Sequence, residues 1–294
     1  MERLYFIVNL LAGGNRCETC FRKVEAELKA RNISYDYAVT KYRRHAVELA
    51  KTAYDNGERT IVAVGGDGTV NEVASVLAGT DAVMGILPFG TGNDLARVLH
   101  FPTEPDEALE MLLAGNIKHM DAADVNEHFF INVAGFGFDV DVLVKMDKYK
   151  ARFKGMIPYL LGILDALVHL KAVPIKLKLE DGTVKEMEAI LVAVGNGAYF
   201  GGGMMALPGA DPFDGMFDVC AVRKISLLKF LALLPRFIKG KHMGLSIVEY
   251  FRATKLYVEG PTSSVIEVDG ELNSHAPAQF TLHKEAMNMI VGTK

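Results

Sequence analysis

The sequence is short of several things, and each shortage excludes a class of protein. Only three cysteines occur in 294 residues. Cys17 and Cys20 form a lone CxxC and Cys220 stands apart, and no second CxxC or HxxxH supplies the two further ligands of a zinc site. The pair reads as two thiols at the start of a helix in a reducing compartment, with a redox role as the alternative. Long apolar runs are missing too. The nearest candidates are broken by Asp165 and His169 in one case, and by Lys229, Pro235 and Arg236 in the other. The opening residues read as a buried strand with no basic leader or cleavage site behind them, which points to a cytoplasmic protein. Excess positive charge is absent: a formal net charge of −4 gives no electrostatic case for nucleic acid. Neither an internal repeat nor a low-complexity linker is present.

What remains is a chain that is half apolar and about a quarter charged, long enough for two domains each with a core. Its first third alternates strand and helix. Strands are predicted at 4–9, 34–39, 60–64 and 83–87, and helices at 18–31, 44–56, 70–78, 93–99 and 105–115. That order predicts a doubly wound α/β domain with a mostly parallel sheet. After Asp121 the texture changes. Residues 129–133, 175–180, 186–194, 216–222, 254–259 and 265–268 are strand-like, and Asp181-Gly182 is a hairpin signal. Helical stretches fall at 138–170, broken, and 226–239. A mainly antiparallel, sandwich-like β domain follows, with the division at 1–122 and 123–294. The last strand, 280–291, fits either domain.

The most specific local pattern is Val64-Gly-Gly-Asp-Gly-Thr-Val-Asn-Glu72, which follows a buried strand and opens a helix. Glycines let the backbone turn sharply and approach a ligand, and a helix N-terminus favours phosphate. An acid inside such a loop repels a nucleotide unless a cation intervenes, so Asp67 is read as a magnesium or orienting residue. A second loop, Pro88-Phe-Gly-Thr-Gly-Asn-Asp-Leu-Ala-Arg97, repeats the logic. Thr91 offers a hydroxyl to phosphate, Asn93 is a candidate cap for the next helix, and Asp94 is a candidate to act through bound magnesium. One such loop is an ordinary strand-to-helix turn; two on adjacent strands point to a nucleotide.

GGDGTVNEV and PFGTGNDLAR resemble the signature loops of the diacylglycerol kinase catalytic domain, shared with sphingosine and ceramide kinases. The resemblance continues through Phe130–Asp139, Gly195-Asn196-Gly197 with Gly201–Gly203, Asp214-Gly215 and Val268-Asp269-Gly270-Glu271, in order along nearly the whole chain. The chain looks closest to the bacterial lipid kinases that consist of this domain alone. That resemblance implies an NAD kinase- and phosphofructokinase-like first domain. It places ATP contacts at Asn9, Gly13, Thr40, Gly65, Gly66, Asp67, Gly68, Thr69, Val70, Asn71, Glu72, Gly90 and Thr91. One departure is visible: the family's first loop has a proline after its asparagine, where this chain has Leu10. The resemblance also makes Glu271 the general base, with Asp269 beside it, and implies a structural Mg2+ on Asp211, Asp214 and the carbonyl of Met216. Carboxylates among turn formers suit a hard cation; solvated hairpin acids are the ordinary alternative.

Two basic and apolar segments complete the reading. Lys145, Lys148, Lys150, Arg152 and Lys154 precede an apolar stretch at 157–170. Residues 223–242 interleave Leu227, Leu228, Phe230, Leu231, Leu234 and Phe237 with Lys224, Lys229, Arg236, Lys239 and Lys241. Such segments suit peripheral contact with an anionic bilayer, or a core helix with a solvated basic face. The expected activity is ATP- and Mg-dependent phosphorylation of diacylglycerol to phosphatidic acid, with the acceptor in a cleft between domains. Ceramide, sphingosine and phosphatidylglycerol are alternative acceptors. An NAD kinase-like enzyme and a non-catalytic nucleotide-binding regulator are the other readings, and a homodimer is compatible with the sequence.

Overall fold

The computed structural model describes residues 3–150, 152–153, 157–168 and 170–292. Of the residues singled out above, Lys154 and His169 lie outside these, as do the side chains of Asp139 and Lys150. The chain divides into two compact units, residues 3–120 with 285–292, and residues 121–284.

The first unit opens with β1 (Leu4–Val8), α1 (Arg16–Ala30), β2 (Tyr35–Val39), α2 (His45–Asp55) and β3 (Thr60–Gly65). It continues with α3 (Asp67–Leu77), β4 (Val83–Pro88), α4 (Asp94–Val98) and α5 (Pro105–Ala114). The strands run parallel in the order β2-β1-β3-β4, and Asn288 and Met289 add a further parallel partner beside β4. β1, β3 and β4 are buried almost throughout, as strands covered on both faces must be. Cys17, Cys20, Phe21, Val24 and Leu28 of α1 fall on one helical face and are buried, with Phe21 edge-on to Phe6 at 5.7 Å. The two thiols are therefore core residues. Burial pushes that of Cys17 up to about 12, far from the thiolate that redox chemistry uses. α5 starts on Pro105 and stops at left-handed Gly115, as a helix with these termini should.

The remaining elements are β5 (Ile117–Val125), β6 (His128–Phe130), β7 (Val133–Gly137), α6 (Phe138–Lys150), α7 (Ile157–Val168), β8 (Val173–Leu179) and β9 (Val184–Gly195). β10 (Phe217–Arg223), α8 (Leu227–Ile238), β11 (Val248–Ala253), β12 (Lys255–Glu259), β13 (Val265–Val268), β14 (Glu271–His275) and β15 (Ala278–Ile290) follow. The strands of the second unit pair antiparallel, and the long β9 meets β7, β8 and β10 in turn. Asp181-Gly182 makes the β8–β9 turn, with the Asp181 carboxylate accepting the Thr183 N–H at 2.8 Å. One apolar core, built on Phe130, Phe136, Phe217 and Phe280, fills the β-sandwich. A second, with Phe138, Leu167, Phe230 and Phe237, lies where α6, α7 and α8 cover β9 and β10.

Four expectations about elements change. α3 begins three residues before the predicted start, because Gly66 is already its extended N-cap (φ −102°, ψ −175°) and Gly68 is helical. The predicted strand at 129–133 is two strands, since the N–H groups of Ile131 and Asn132 turn to a carboxylate instead of a neighbouring strand. The nine-residue β5, in which the predicted division falls, was not predicted as a strand, because its exposed first half and buried Asp121 hide the apolar alternation. β11 and β14 were not predicted. β14 is short and mostly solvent-facing, and β11 has a mixed, half-buried pattern.

Candidate active site

β3 and β4 are adjacent and parallel, so the two glycine loops leave the sheet at the same end. They are in direct contact. The Gly90 N–H donates to the Gly65 carbonyl at 3.0 Å. A Cβ on Gly90 would stand 2.3 Å from the Cα of Gly66, and only glycine fits there. The loop after β1 joins them. Asn9 Nδ2 donates to Thr69 Oγ1 at 3.2 Å, and a Cβ on Gly13 (φ +61°) would meet the Phe89 carbonyl at 2.6 Å. Leu10 in place of proline leaves this contact intact. Thr40 extends β2 at the same sheet end, its N–H donating to the Val8 carbonyl at 2.9 Å.

Gly68 differs from these packing glycines. It is exposed, and nothing lies within 4 Å of where its Cβ would be. The space beside its backbone is open. The N–H groups of Asp67, Gly68 and Thr69 precede the first intrahelical bond, which Val70 donates to Gly66 at 3.1 Å. This first turn of α3 is therefore a positive pole with unspent donors, suited to phosphate oxygens. Thr69 and Val70 are buried and offer backbone only, whereas Asn71 is half-buried and Thr91 exposed.

The acids of these loops are bonded to other parts of the first unit. Asp67 accepts three backbone N–H groups of the second loop: Asn93 at 2.7 Å, Asp94 at 2.7 Å and Leu95 at 3.4 Å. It thus caps α4 from another loop. Asn93, the predicted cap, does not cap α4. Its side chain turns back to bracket Gly90, accepting from that N–H and donating to that carbonyl, each at 3.1 Å. Asp94 is buried, with Arg97 Nε at 3.7 Å, and Arg97 also donates to the Gly92 carbonyl at 3.1 Å. Glu72 is turned away from the phosphate loop. Its carboxylate accepts the Arg44 and Ala46 N–H groups at 3.0 and 3.1 Å and so satisfies the start of α2.

The second unit holds the other predicted acids. Asp269 (φ +46°) and Gly270 (φ +85°) form the two-residue turn between β13 and β14, with both residues left-handed. The Asp269 carboxylate turns to the chain around β6 and β7. It accepts the N–H groups of Ile131, Asn132 and Val133 at 2.9, 3.2 and 3.0 Å, the same three-donor clamp that Asp67 makes. Glu271 comes first in β14, half-exposed, with Asn273 Nδ2 at 3.1 Å from one oxygen. Below this turn, buried Asn196 donates to the Asp121 carbonyl at 2.7 Å, and Asp121 accepts the Gly215 N–H at 2.7 Å.

Gly215 belongs to the proposed metal loop. Asp211 accepts the Phe213 N–H and Asp214 the Met216 N–H, both at 3.1 Å, so one oxygen of each closes a turn. Asp214 also pairs with Arg252, a residue of the unpredicted β11. Asp218 stands on β10, buried, with Arg252 Nε at 3.7 Å. Burial raises its pKa, and Asp214 and Asp211 add to the shift. Among the described residues no three acidic, histidine or cysteine side chains converge into a metal cage. Arg252 left no signal in the sequence, whereas Arg97 and Asn196 lay inside recognisable motifs.

The family described as "Diacylglycerol kinase catalytic domain" matches residues 3–125, and "YegS C-terminal NAD kinase beta sandwich-like domain" matches residues 132–291. A diacylglycerol kinase of Mycobacterium tuberculosis is 31% identical over 291 residues, covering 97% of this chain and 93% of that protein. The chain belongs to the diacylglycerol kinase family. It is a lipid kinase, and ATP is its co-substrate. A Bacillus subtilis diacylglycerol kinase is 27% identical, with 95% of this chain and 93% of that protein covered. The crystal structure of a Bacillus anthracis diacylglycerol kinase superposes with a TM-score of 0.79 at 25% identity, over 99% of this chain and 97% of that one. Yeast NADH kinase, at 9% identity and a TM-score of 0.56 over 100% of this chain and 84% of that one, shares the fold. Among the described residues of the kinase, no helix is long and apolar enough to cross a membrane.

Proposed function

We propose that the enzyme transfers the γ-phosphoryl group of ATP to the free hydroxyl of diacylglycerol, giving phosphatidic acid and ADP. The observation that carries the reading is the open first turn of α3 at Gly68, held against the second loop by the Asp67 clamp. Backbone donors aimed at phosphate cost no reorganisation when charge develops on the transferring group. The acceptor oxygen forms its bond to the γ-phosphorus as the bond to the β–γ bridging oxygen breaks, and that oxygen keeps the electron pair. The hydroxyl proton passes to the Glu271 carboxylate. Diacylglycerol is chosen as acceptor because the relatives above bear that name.

Magnesium fits the same reading. Asp211, Asp214 and the Met216 carbonyl offer hard oxygens within one turn, and a cation there would share Asp214 with the Arg252 guanidinium. Bound Mg2+ would neutralise charge; the protein's own part is to hold the turn. For the membrane, α8 presents Leu227, Leu228, Leu231 and Ile238 outward, Leu228 being 80% exposed, with Lys229 and Arg236 on the flank of this stripe. An apolar stripe with a basic flank suits an anionic lipid surface.

The test is incubation with labelled ATP, magnesium and mixed micelles carrying diacylglycerol, ceramide, sphingosine or phosphatidylglycerol separately. Phosphatidic acid as the main product is expected; label in another lipid changes the acceptor, and no labelled lipid ends the reading. Glu271→Gln is expected to lower kcat by about 10²–10⁴-fold with ATP affinity unchanged. A fully active variant would remove Glu271 from the mechanism.

A further inference from the structure

The sheet end that carries the glycine loops also carries a pair of stacked rings. β1 pairs Val8 with Val39 on one side and with Val64 on the other, so the chain leaving β2 stands level with the loop after β3. Two strand spacings, about 10 Å, separate them. Beyond Thr40 the chain turns at once, the His45 N–H donating to the Tyr42 carbonyl at 3.2 Å. Tyr42 and His45 lie face to face, with ring centroids 4.3 Å apart and planes 20° from parallel. Each ring is also held from a second direction. The Tyr42 hydroxyl donates to Glu48 of α2 at 2.7 Å, and His45 Nδ1 accepts the Lys41 N–H at 3.0 Å. Glu72 of α3, which accepts the Arg44 and Ala46 N–H groups, ties this turn to the helix whose first turn offers donors to phosphate. Tyr42 is nonetheless 56% exposed although one of its faces rests on His45, so the other face is open.

We propose that this open face of Tyr42, backed by His45, is the shelf on which the adenine base of ATP stacks. The inference rests on ATP as the co-substrate and adds where its base goes; it does not depend on which lipid accepts the phosphate. Ligands of open parallel sheets lie across the carboxyl ends of the strands. A nucleotide with its phosphates on the first turn of α3 has its ribose and base left to span the two strand spacings to the end of β2. The base is flat and uncharged, so it needs an aromatic face rather than a counter-charge. A ring already fixed by Glu48 and His45 has little rotamer freedom left to lose when the base arrives. Stacked area grows with the size of the base, so the shelf favours purine over pyrimidine nucleotides.

The experiment uses the full chain without lipid and measures by calorimetry the binding of ADP, UDP and tripolyphosphate, which has no base. Tyr42→Ala is expected to weaken ADP binding about 5–100-fold, the usual loss when a base loses its aromatic partner, and to leave tripolyphosphate binding unchanged. Tyr42→Phe keeps the ring and should restore most of the ADP affinity. The preference for ADP over UDP should narrow in the Ala variant alone. On the unaltered protein, irradiated 8-azido-ATP is expected to label residues 40–45, and excess ADP should compete the label away. Unchanged ADP affinity in Tyr42→Ala, or label confined to other segments, overturns the shelf. If the Ala variant loses tripolyphosphate as well, its fold has failed and the label on the unaltered protein decides. Label at 40–45 without any phosphorylated lipid in the micelle assay keeps the shelf and ends the diacylglycerol reading instead.

Discussion

The glycine loops of the first unit and the helical face of the second handle opposite problems by opposite means. At the loops almost every contact is polar, short and made by backbone. Glycine is required at Gly90 because another backbone passes there, and Asp67 and Asn93 fix the loop from both sides. On α7 and α8 the buried contacts are apolar, and several large side chains are exposed: Leu164 is 60% exposed and Leu228 80%. A highly charged ligand coming from water needs donors already in position, since reorganising them costs the transition state. A lipid needs only apolar surface without directional bonds.

Breaking the first region should have the largest effect. Asp67→Ala removes the acceptor for three N–H groups and is expected to lower kcat/KM at least about 100-fold, the usual cost of an ångström-scale misplacement. The melting temperature should fall as well, because buried donors are left unpaired. Asp67→Asn keeps one acceptor oxygen and should recover part of both; equal loss in the two variants would mean that charge, not loop geometry, is what matters. The second region should tolerate more. Leu228→Asp with Leu231→Asp is expected to weaken sedimentation with anionic vesicles about 10–100-fold, in proportion to the leucine surface withdrawn. Turnover of dioctanoylglycerol in detergent should hardly change. Unaltered sedimentation would remove α8 from membrane contact.

The smallest effect concerns stability alone. Burial raises the pKa of Asp218, so in its folded setting the protonated form is favoured. Stability from this group is fully present below the ordinary carboxylate value near 4 and is lost as pH rises through the raised one. Asp218→Asn should therefore raise the melting temperature by a few degrees at pH 7 and leave it unchanged at pH 4. A lower melting temperature at pH 7 would show that the pairing with Arg252 outweighs burial.

Much of the first unit was legible because its signals are local. Apolar strands, one-sided helices and glycine turns depend on residues a few positions apart, and the predicted elements of residues 3–115 all appear with shifts of at most three residues. The second unit was harder to read, because β5, β11 and β14 exist through pairing with distant partners and carry little pattern of their own.

The sequence by itself determined the two loop motifs, the alternation of strand and helix in the first unit and the membership in a kinase family, since each is written in neighbouring residues. Only the tertiary structure decided which groups the acids bond. Asp67 and Asp269 read alike as catalytic candidates, and each folds back on three N–H groups from a separate stretch of chain. Glu72 went to the start of α2, and Asn93 to its own loop. A carboxylate's partner is whichever donor the fold brings within hydrogen-bonding distance, and the nearest donors here lie 26 to 138 residues away.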